Sequence, residues 1–170
     1  MKRLQNIFLV GPMGAGKSAV GKQLARALHL SFVDSDDEVE SRTGVDIPFV
    51  FEKEGEEGFR KREAAAIDDL TSRDGVVLAT GGGAVLRAES RKRLSSRGFV
   101  VYLYTSVDQQ LERTTKGRER PLLAGGDRRE TLGKLLEHRD PLYREVADLV
   151  VETDGRRVKA VADEITGHLP

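Results

Sequence analysis

The sequence predicts an α/β fold in which helices cover both faces of a parallel sheet. Two patterns lead to this prediction. Short apolar runs, typical of strands buried on both faces, recur along the chain. Segments with helical apolar spacing lie between them, and this alternation indicates parallel strands joined by helices. The runs are residues 7–10, 32–33, 76–79, 99–103 and 149–151.

The helical pattern is clearest in three segments. Val20, Leu24 and Leu28 are spaced by four residues, which places them on one face of a helix. Residues 59–70 and 158–169 carry comparable apolar repeats. We therefore expect a helix in each of these segments.

Three sites carry the chemistry of helix starts. A serine followed three residues later by Glu or Gln forms a capping box, and proline is favoured at the first helical position. These signals predict helix starts at Ser35 with Glu38, at Ser106 with Gln109, and at Asp140 before Pro141. The first start would place Asp36 in a first turn, at the sheet edge where ligands bind in open α/β folds.

Length and charge limit the classes of protein to consider. With 170 residues the chain fits a single domain, residues 1–170. Lys plus Arg and Asp plus Glu both total 28, so no net field attracts nucleic acid or an anionic membrane. Aromatic residues make up only 5%, which argues against a base-stacking surface. We expect neither nucleic acid nor a membrane as a partner.

The chain contains no cysteine, which excludes disulfides and thiolate metal sites and suits a reducing compartment. Its first apolar run spans residues 7–10 and ends in a glycine loop. That run is too short for a signal peptide or a membrane span. We expect a cytoplasmic location.

The strongest local motif is G-x-x-x-x-G-K-S at residues 11–18, between a predicted strand and a predicted helix. This context is the one that a phosphate-binding P-loop requires. Backbone N–H groups of the loop and the helix N-terminus surround phosphate oxygens. Lys17 reaches the β- and γ-phosphates, and Ser18 is suited to ligate Mg²⁺. The motif predicts nucleotide binding.

A cluster of carboxylates follows the second predicted strand. Asp34 and Asp36 lie where one is suited to hold a magnesium-bound water and the other to accept hydrogen bonds from a substrate hydroxyl. The alternative is that Asp36 and Asp37 only complement the helix dipole, which contributes about 0.3–1 kcal/mol. The acidic cluster alone leaves both interpretations open.

Glycines and arginines supply two further signals. Gly81, Gly82 and Gly83 directly follow a buried strand, and three consecutive glycines permit close approach of backbone to a ligand, although a plain turn needs only one. Guanidinium forks suit carboxylates and phosphates, but most arginines in so charged a chain must be solvated. The candidates selected by position are Arg60, Arg120 and Arg139.

One segment, residues 114–129, lacks a regular pattern and is rich in Gly and Arg. Such a segment inside a compact domain is more often a functional lid than a passive connection. We expect a mobile lid here.

Taken together, these motifs resemble those of the shikimate kinase family, and the resemblance covers nearly the whole chain. Six separate motifs occur in the same order, which chance does not readily explain. They are G-P-M-G-A-G-K-S at 11–18, D-S-D at 34–36, G-E-E-G-F-R at 55–60, G-G-G at 81–83, R-P-L-L at 120–123 and R-D-P-L-Y at 139–143.

The resemblance implies a fold and a reaction. The fold is a three-layer α/β/α P-loop fold, like that of nucleoside monophosphate kinases, with a central five-stranded parallel sheet. A substrate-binding helical segment spans about residues 35–62, and the lid spans about 114–129. The reaction is phosphorylation of the 3-hydroxyl of shikimate by ATP with Mg²⁺, in aromatic amino acid biosynthesis, by a monomer.

The resemblance also implies residue roles. Catalysis would involve Lys17, Asp36 and Arg120, and Mg²⁺ would be held by Ser18 and Asp34. The residues implied to hold shikimate are Asp36, Arg60, Gly81, Gly82, Gly83 and Arg139, with the arginines on its carboxylate. The residues implied to hold ATP are Gly14, Ala15, Gly16, Lys17, Ser18, Ala19, Arg113, Arg120 and Arg156.

Two departures from the family pattern are small. Ala19 replaces a frequent threonine, and the loop 151–157 that contains Arg156 lacks a proline that some members carry. Two alternatives stay open from the sequence. One is a kinase for gluconate or a nucleoside monophosphate on the same scaffold, and the other is a nucleotide-binding module without catalysis.

Overall fold

The computed structural model describes residues 5–114 and 127–170. In these ranges the strands are β1 (Ile7–Val10), β2 (Ser31–Asp34), β3 (Val76–Ala79), β4 (Phe99–Tyr104) and β5 (Leu149–Glu152). The helices are α1 (Lys17–Leu28), α2 (Ser35–Thr43), α3 (Ile47–Thr71), α4 (Ala88–Arg97), α5 (Val107–Thr114), α6 (Arg128–Val146) and α7 (Val158–His168).

The strands form one parallel sheet in the order β2-β3-β1-β4-β5. This confirms the predicted α/β class with a five-stranded parallel sheet. All residues of β1 and β3 are buried, as continuous apolar runs predict. The edge strands β2 and β5 are only partly covered, and Val150 of β5 is 38% exposed.

The two faces of the sheet carry separate hydrophobic cores. Successive residues of a strand point to opposite faces, and β1 divides in this way. Ile7 and Leu9 pack with residues of α1 and α7. Phe8 and Val10 pack with residues of α3, α4 and α6. A third, smaller cluster joins α2 to α3 through Val39, Val50, Phe59 and Ala66.

The start of α2 differs from the prediction at Ser35. The N-cap is Asp34, whose Oδ1 accepts hydrogen bonds from the N–H groups of Asp36 and Asp37 at 2.8 and 3.2 Å. Both Asp and Ser are good N-caps, and the earlier residue has the extended backbone that a cap requires. Ser35 is the first helical residue, and its Oγ accepts from Gly81 N–H at 3.0 Å. Asp36 lies in the first turn, as predicted.

The start of α5 agrees with the prediction in part. Ser106 Oγ accepts from the N–H of Gln109 at 3.2 Å, which confirms the cap. The reciprocal bond of a capping box is replaced, because the N–H of Ser106 donates to Asp154 at 3.0 Å.

The predicted helix start at Pro141 is wrong. Asp127 caps α6, and Pro141 lies inside that helix. The preceding Asp140 has other partners, since its carboxylate accepts from Tyr102 Oη at 2.7 Å and from Arg144 Nε at 2.9 Å. Packing and ion pairs therefore carry the helix through a proline that costs it a backbone donor.

Helix α3 is interrupted at Gly55, where φ is 72° and ψ is −179°. Only glycine adopts this backbone region readily. The interruption divides α3 into two helical sections, and Arg60 lies near the start of the second. No described helix is long and apolar enough to cross a membrane.

Candidate active site

The P-loop connects β1 to α1 at the carboxyl edge of the sheet. Gly14 and Gly16 have φ values of 78° and 86°, so both positions favour glycine. Gly16 is the N-cap of α1, and the helix has neither a side-chain cap nor an acidic residue in its first turn. The backbone donors and the positive end of the helix dipole therefore face the loop without an acidic side chain from α1 itself.

Two cationic side chains lie against this loop. Lys17 Nζ donates to the carbonyl oxygens of Gly11 and Pro12 at 2.6 and 2.8 Å. Arg113, near the end of α5, donates from Nη1 to the carbonyl oxygen of Gly14 at 2.9 Å. The structure thus brings the predicted ATP-binding residue Arg113 to the phosphate loop itself.

Asp34 joins the loop to the acidic cluster. Its Oδ1 caps α2, and its Oδ2 accepts from Ser18 Oγ at 2.9 Å. A serine hydroxyl and one carboxylate are hard oxygen ligands of the kind that Mg²⁺ uses together with phosphates and water. No group of three or more acidic or His side chains suited to a metal occurs in the described ranges, and a magnesium site shared with phosphates does not require one.

The three glycines after β3 border a second part of the site. We call this part the acceptor side; its side chains are Asp36, Arg60, Glu63 and Arg139. A Cβ atom added to Gly81 would lie 2.8 Å from Asp36 Oδ1 and 2.9 Å from Glu63 Oε2. Two carboxylates therefore approach the same point of the backbone, and only glycine leaves room for both.

Gly82 and Gly83 face the two predicted arginines. A Cβ atom on Gly82 would lie 3.5 Å from Arg139 Nη1 and 3.7 Å from the backbone nitrogen of Met13 in the P-loop. A Cβ atom on Gly83 would collide with the guanidinium of Arg60. Space for neighbouring site residues therefore requires glycine at positions 81 and 83, whereas a Cβ atom on Gly82 would make only ordinary contacts.

Both arginines are buried, with 8% of Arg60 and 4% of Arg139 exposed. Within the described ranges, Nε of each has no hydrogen-bond partner. A buried polar atom left without a partner costs about 1–3 kcal/mol, so such atoms are rare unless a ligand satisfies them. The acceptor side therefore offers donors suited to an anionic group.

Glu63 belongs to this site, and sequence reasoning missed it. It is 3% exposed, its Oε1 pairs with Arg60 Nη1 at 2.9 Å, and its Oε2 has no partner in the described part of the chain. Burial raises the pKa of Glu63, although the charges of Arg60 and Arg139 act in the opposite direction. The available signal was its spacing three residues after Arg60 on one helix.

One predicted ATP-binding residue, Arg156, is not brought to the P-loop. Arg156 pairs with Glu164 at 2.8 Å and donates to the carbonyl oxygen of Glu152 at 3.0 Å. It lines a separate polar surface pocket between β5 and α7. Arg120 and most of the predicted lid, residues 115–126, lie outside the described residues.

Most of the remaining predicted residues line one cavity, and Gly83, Arg60 and Arg139 are the ones that do not. This cavity has a volume of about 270 Å³ and combines the P-loop with both aspartates and the glycine turn. Its lining is Met13, Gly14, Ala15, Gly16, Lys17, Ser18, Ala19, Asp34, Asp36, Thr80, Gly81, Gly82 and Arg113. Beyond this cavity the site continues with the buried side chains that lie against the glycine turn, namely Arg60, Glu63 and Arg139.

A phosphate loop that opens onto a small acceptor side with carboxylates and arginines is the arrangement of a P-loop kinase for small molecules. A protein-family model described as shikimate kinase matches residues 13–170. Shikimate kinases of Vibrio cholerae and Vibrio parahaemolyticus are 57% and 58% identical over 99% of this chain and 97% and 98% of theirs. The chain belongs to the shikimate kinase family.

A solved structure supports the same conclusion. The shikimate kinase of Acinetobacter baumannii in complex with shikimate is similar to this chain with a TM-score of 0.94 and 50% identity. The similarity covers 98% of this chain and 96% of that one. Its fold therefore matches this chain over both halves of the site.

Proposed function

We propose that the P-loop side of the cavity holds ATP and that the buried acceptor side holds shikimate, so that the two substrates meet at the glycine turn. The reaction is the transfer of the γ-phosphoryl group of ATP to the 3-hydroxyl of shikimate, which gives ADP and shikimate 3-phosphate. Family membership supports the reaction, and the geometry supports the residue roles.

Arg60 and Arg139 are proposed to bind the carboxylate of shikimate. The single observation that carries this assignment is that both guanidinium groups are buried while Nε of each lacks a protein partner in the described ranges. A carboxylate accepts paired hydrogen bonds from guanidinium forks and supplies the opposite charge. Glu63 and the more exposed Glu56 both pair with Arg60, at 2.9 and 3.5 Å, so the charge of the carboxylate would be balanced chiefly by Arg139.

Asp36 is proposed to orient the acceptor hydroxyl. Its carboxylate lies beside Gly81, on the side of the turn that opens to the P-loop cavity. Phosphoryl transfer passes through a loose transition state, so the alcohol needs positioning more than it needs a strong base. Asp36 takes the proton from the hydroxyl late in the transfer.

Lys17 and the backbone donors of residues 14–18 are proposed to bind the phosphates. Their positive potential compensates charge on the transferring group and on the departing ADP. Ser18 and Asp34 fit Mg²⁺, which would neutralise phosphate charge when bound. Arg113 is placed against the same loop, whereas the roles of Arg120 and Arg156 stay predictions from the sequence.

We also propose that the chain acts as a cytoplasmic monomer. All the residues assigned to a substrate or to Mg²⁺ belong to one chain, so the site needs no second copy. Light scattering on the purified protein should give a mass near the 18.7 kDa of one chain. A stable dimer mass would contradict this proposal.

A coupled assay of ADP release tests the acceptor. Shikimate should support turnover. Gluconate and quinate carry their hydroxyl and carboxylate groups on different carbon skeletons, so they should support little turnover. Efficient turnover of gluconate would favour another kinase on this scaffold. Binding of ATP without ADP release in the presence of shikimate would indicate a nucleotide-binding module without catalysis.

A further inference from the structure

The hydroxyl of Tyr143 connects two parts of the acceptor side. Tyr143 lies four residues after Arg139 in α6, so both side chains leave the helix on the same face. Its side chain is buried, with 1% exposed. Its Oη donates a hydrogen bond of 2.5 Å to the carbonyl oxygen of Gly82, the central glycine of the turn. The Tyr143 hydroxyl therefore restrains the backbone of the turn at its central residue.

The Arg139 guanidinium lies beside the same turn, because a Cβ atom on Gly82 would lie 3.5 Å from Arg139 Nη1. Burial raises the pKa of Tyr143 to about 12, and the charge of Arg139 acts in the opposite direction. The hydroxyl keeps its proton throughout the physiological pH range, and its bond to Gly82 persists.

Because Tyr143 holds the carbonyl group of Gly82, it also fixes the orientation of the next backbone N–H group, that of Gly83. The peptide between Gly82 and Gly83 is trans and planar, so the N–H of Gly83 points away from the carbonyl that Tyr143 holds. Glycines have little conformational preference of their own, and three in a row need an external restraint to hold one orientation. Tyr143 supplies such a restraint at the middle of the turn.

We propose that Tyr143 is a positioning residue for shikimate, because its hydroxyl holds the turn formed by Gly81, Gly82 and Gly83, against which the Arg139 guanidinium lies. Preorganised groups bind more tightly because the cost of ordering them is met before the ligand arrives. This inference rests on the proposed assignment of Arg139 and the turn to shikimate.

A second tyrosine provides a matched control. Tyr102 packs against Tyr143 with ring centroids 4.8 Å apart, and it is equally buried. Its hydroxyl donates to Asp140 at 2.7 Å and contacts none of the residues assigned to a substrate. Tyr102→Phe and Tyr143→Phe therefore remove the same group from one aromatic pair, and only the second removal disturbs the turn.

The test compares the two variants with the wild-type enzyme. Because the chain has no tryptophan, shikimate binding is measured by titration calorimetry. Tyr143→Phe should raise the Kd and KM for shikimate by about three- to tenfold, the equivalent of one lost hydrogen bond, with the KM for ATP changed by less than about twofold. Tyr102→Phe should change all three constants by less than about twofold.

Several outcomes would overturn the proposal. They are an unchanged shikimate Kd in Tyr143→Phe, an equal rise in the ATP constant, or the same rise in Tyr102→Phe. Thermal unfolding of both variants shows whether a loss of folding explains any change. Titration of Arg139→Lys separates the positioning role from the substrate site, because an unchanged shikimate Kd there contradicts the proposed substrate site itself.

A double variant tests the link to Arg139 directly. If the hydroxyl acts partly through this arginine, Tyr143→Phe should weaken shikimate binding less in an Arg139→Lys background than in the wild type. An equal loss in both backgrounds would show that Tyr143 acts independently of Arg139 and would overturn the proposed connection.

Discussion

Arg60 presents a planar fork to the acceptor side, and a lysine in its place would present a point charge. The fork is held by Glu63 at 2.9 Å and by Phe59, whose ring centroid lies 5.1 Å from Cζ. We expect Arg60→Lys to raise the Kd for shikimate at least about tenfold, because each charge-assisted hydrogen bond contributes about 1.5–3 kcal/mol. The KM for ATP should hardly change.

The chain contains its own control for this substitution. Arg62 lies on the same helix but is 45% exposed and pairs with Glu54, so Arg62→Lys should leave shikimate binding within about twofold. Arg60→Lys should weaken the binding of an acceptor analogue without the carboxylate far less than it weakens the binding of shikimate. Equal losses on both acceptors would show that Arg60 supports the fold rather than the carboxylate.

Lys17 is the residue on which phosphate neutralisation depends most. We expect Lys17→Ala to reduce kcat at least about a hundredfold, because oriented charge of this kind contributes roughly 3–4 kcal/mol to the transition state. The fold should persist, since the Lys17 side chain is not part of either core. Lys22→Ala, an exposed lysine on the same helix, is the control. Activity of Lys17→Ala within threefold of wild type would contradict the P-loop role.

Motifs predict residues that act through their chemical type, and they miss residues that act through burial. Lys17 and Asp36 were found because loop sequence and strand position select them. Glu63 was not found, and Tyr143 was part of the R-D-P-L-Y motif without a role, since a glutamate or tyrosine on a helix is usually solvated or packed in a core. Only the three-dimensional arrangement shows that Glu63 lies against Gly81 and that Tyr143 reaches Gly82.

At the scale of the element, the interruption of α3 determines where the acceptor residues lie. Gly55 has a backbone conformation that alanine adopts only with strain, yet a Cβ atom there would meet nothing within 4 Å. Gly55→Ala should therefore lower the free energy of unfolding by about 1–3 kcal/mol through backbone strain alone. Urea titration measures this change.

A matched glycine should respond in the opposite direction. Gly133 lies inside α6, where a Cβ atom would also meet nothing within 4 Å. Gly133→Ala should raise the free energy of unfolding by about 0.5–1 kcal/mol, because alanine favours the helix. If both substitutions stabilise the protein, then Gly55 is not strained and α3 tolerates a continuous helix.

The sequence allowed the presence of helices to be predicted. The residue at which a helix begins was harder to predict, because neighbouring residues compete for the N-cap position. Asp34 and Ser35 are both N-cap residues, and the sequence does not show which has the extended backbone. Asp140 before Pro141 matches a helix start, but the tertiary partners of Asp140 keep it inside α6. Capping preferences depend on a residue and its near neighbours, whereas Ser35 bonds to Gly81 and Asp140 bonds to Tyr102, partners that lie far away in the sequence.

At the scale of the whole molecule, the small cluster between α2 and α3 is separate from the two cores that cover the sheet. It contains only Val39, Val50, Phe59 and Ala66 as buried members, so it provides less apolar burial than either main core. We expect amides of α2 to exchange with solvent at least about tenfold faster than those of β1, because local opening costs less where burial is smaller.

Shikimate should slow this exchange, since Asp36 lies on α2 and a bound ligand stabilises the closed form. Mass spectrometry of peptides from α2 and β1, with and without shikimate, measures both effects. Exchange in α2 as slow as in β1 would show that the molecule opens as one unit. Stronger protection of α2 by ATP alone than by shikimate alone would contradict its assignment to the acceptor.

The sheet order could not be predicted from the residues alone. Apolar runs identify strands and their burial, and parallel pairing follows from the alternating helices. The order β2-β3-β1-β4-β5 depends on which runs pair across the chain, and buried runs rich in Val and Leu carry little information about their partners. That order places the P-loop after β1 beside the glycine turn after β3, which brings the two halves of the site together.

Asp34 gives one of its oxygens to each half of the site, and this has a thermodynamic consequence. Oδ1 caps the helix that carries Asp36, while Oδ2 accepts from Ser18 in the phosphate loop. Occupancy of one half therefore changes the free energy of ordering the other. Such linkage is reciprocal: the factor by which nucleotide tightens shikimate equals the factor by which shikimate tightens nucleotide.

We expect this coupling factor to exceed one when shikimate is titrated with and without ADP, and ADP with and without shikimate. A factor of one in both titrations would show that Asp34 contacts both halves of the site without coupling the binding of their ligands.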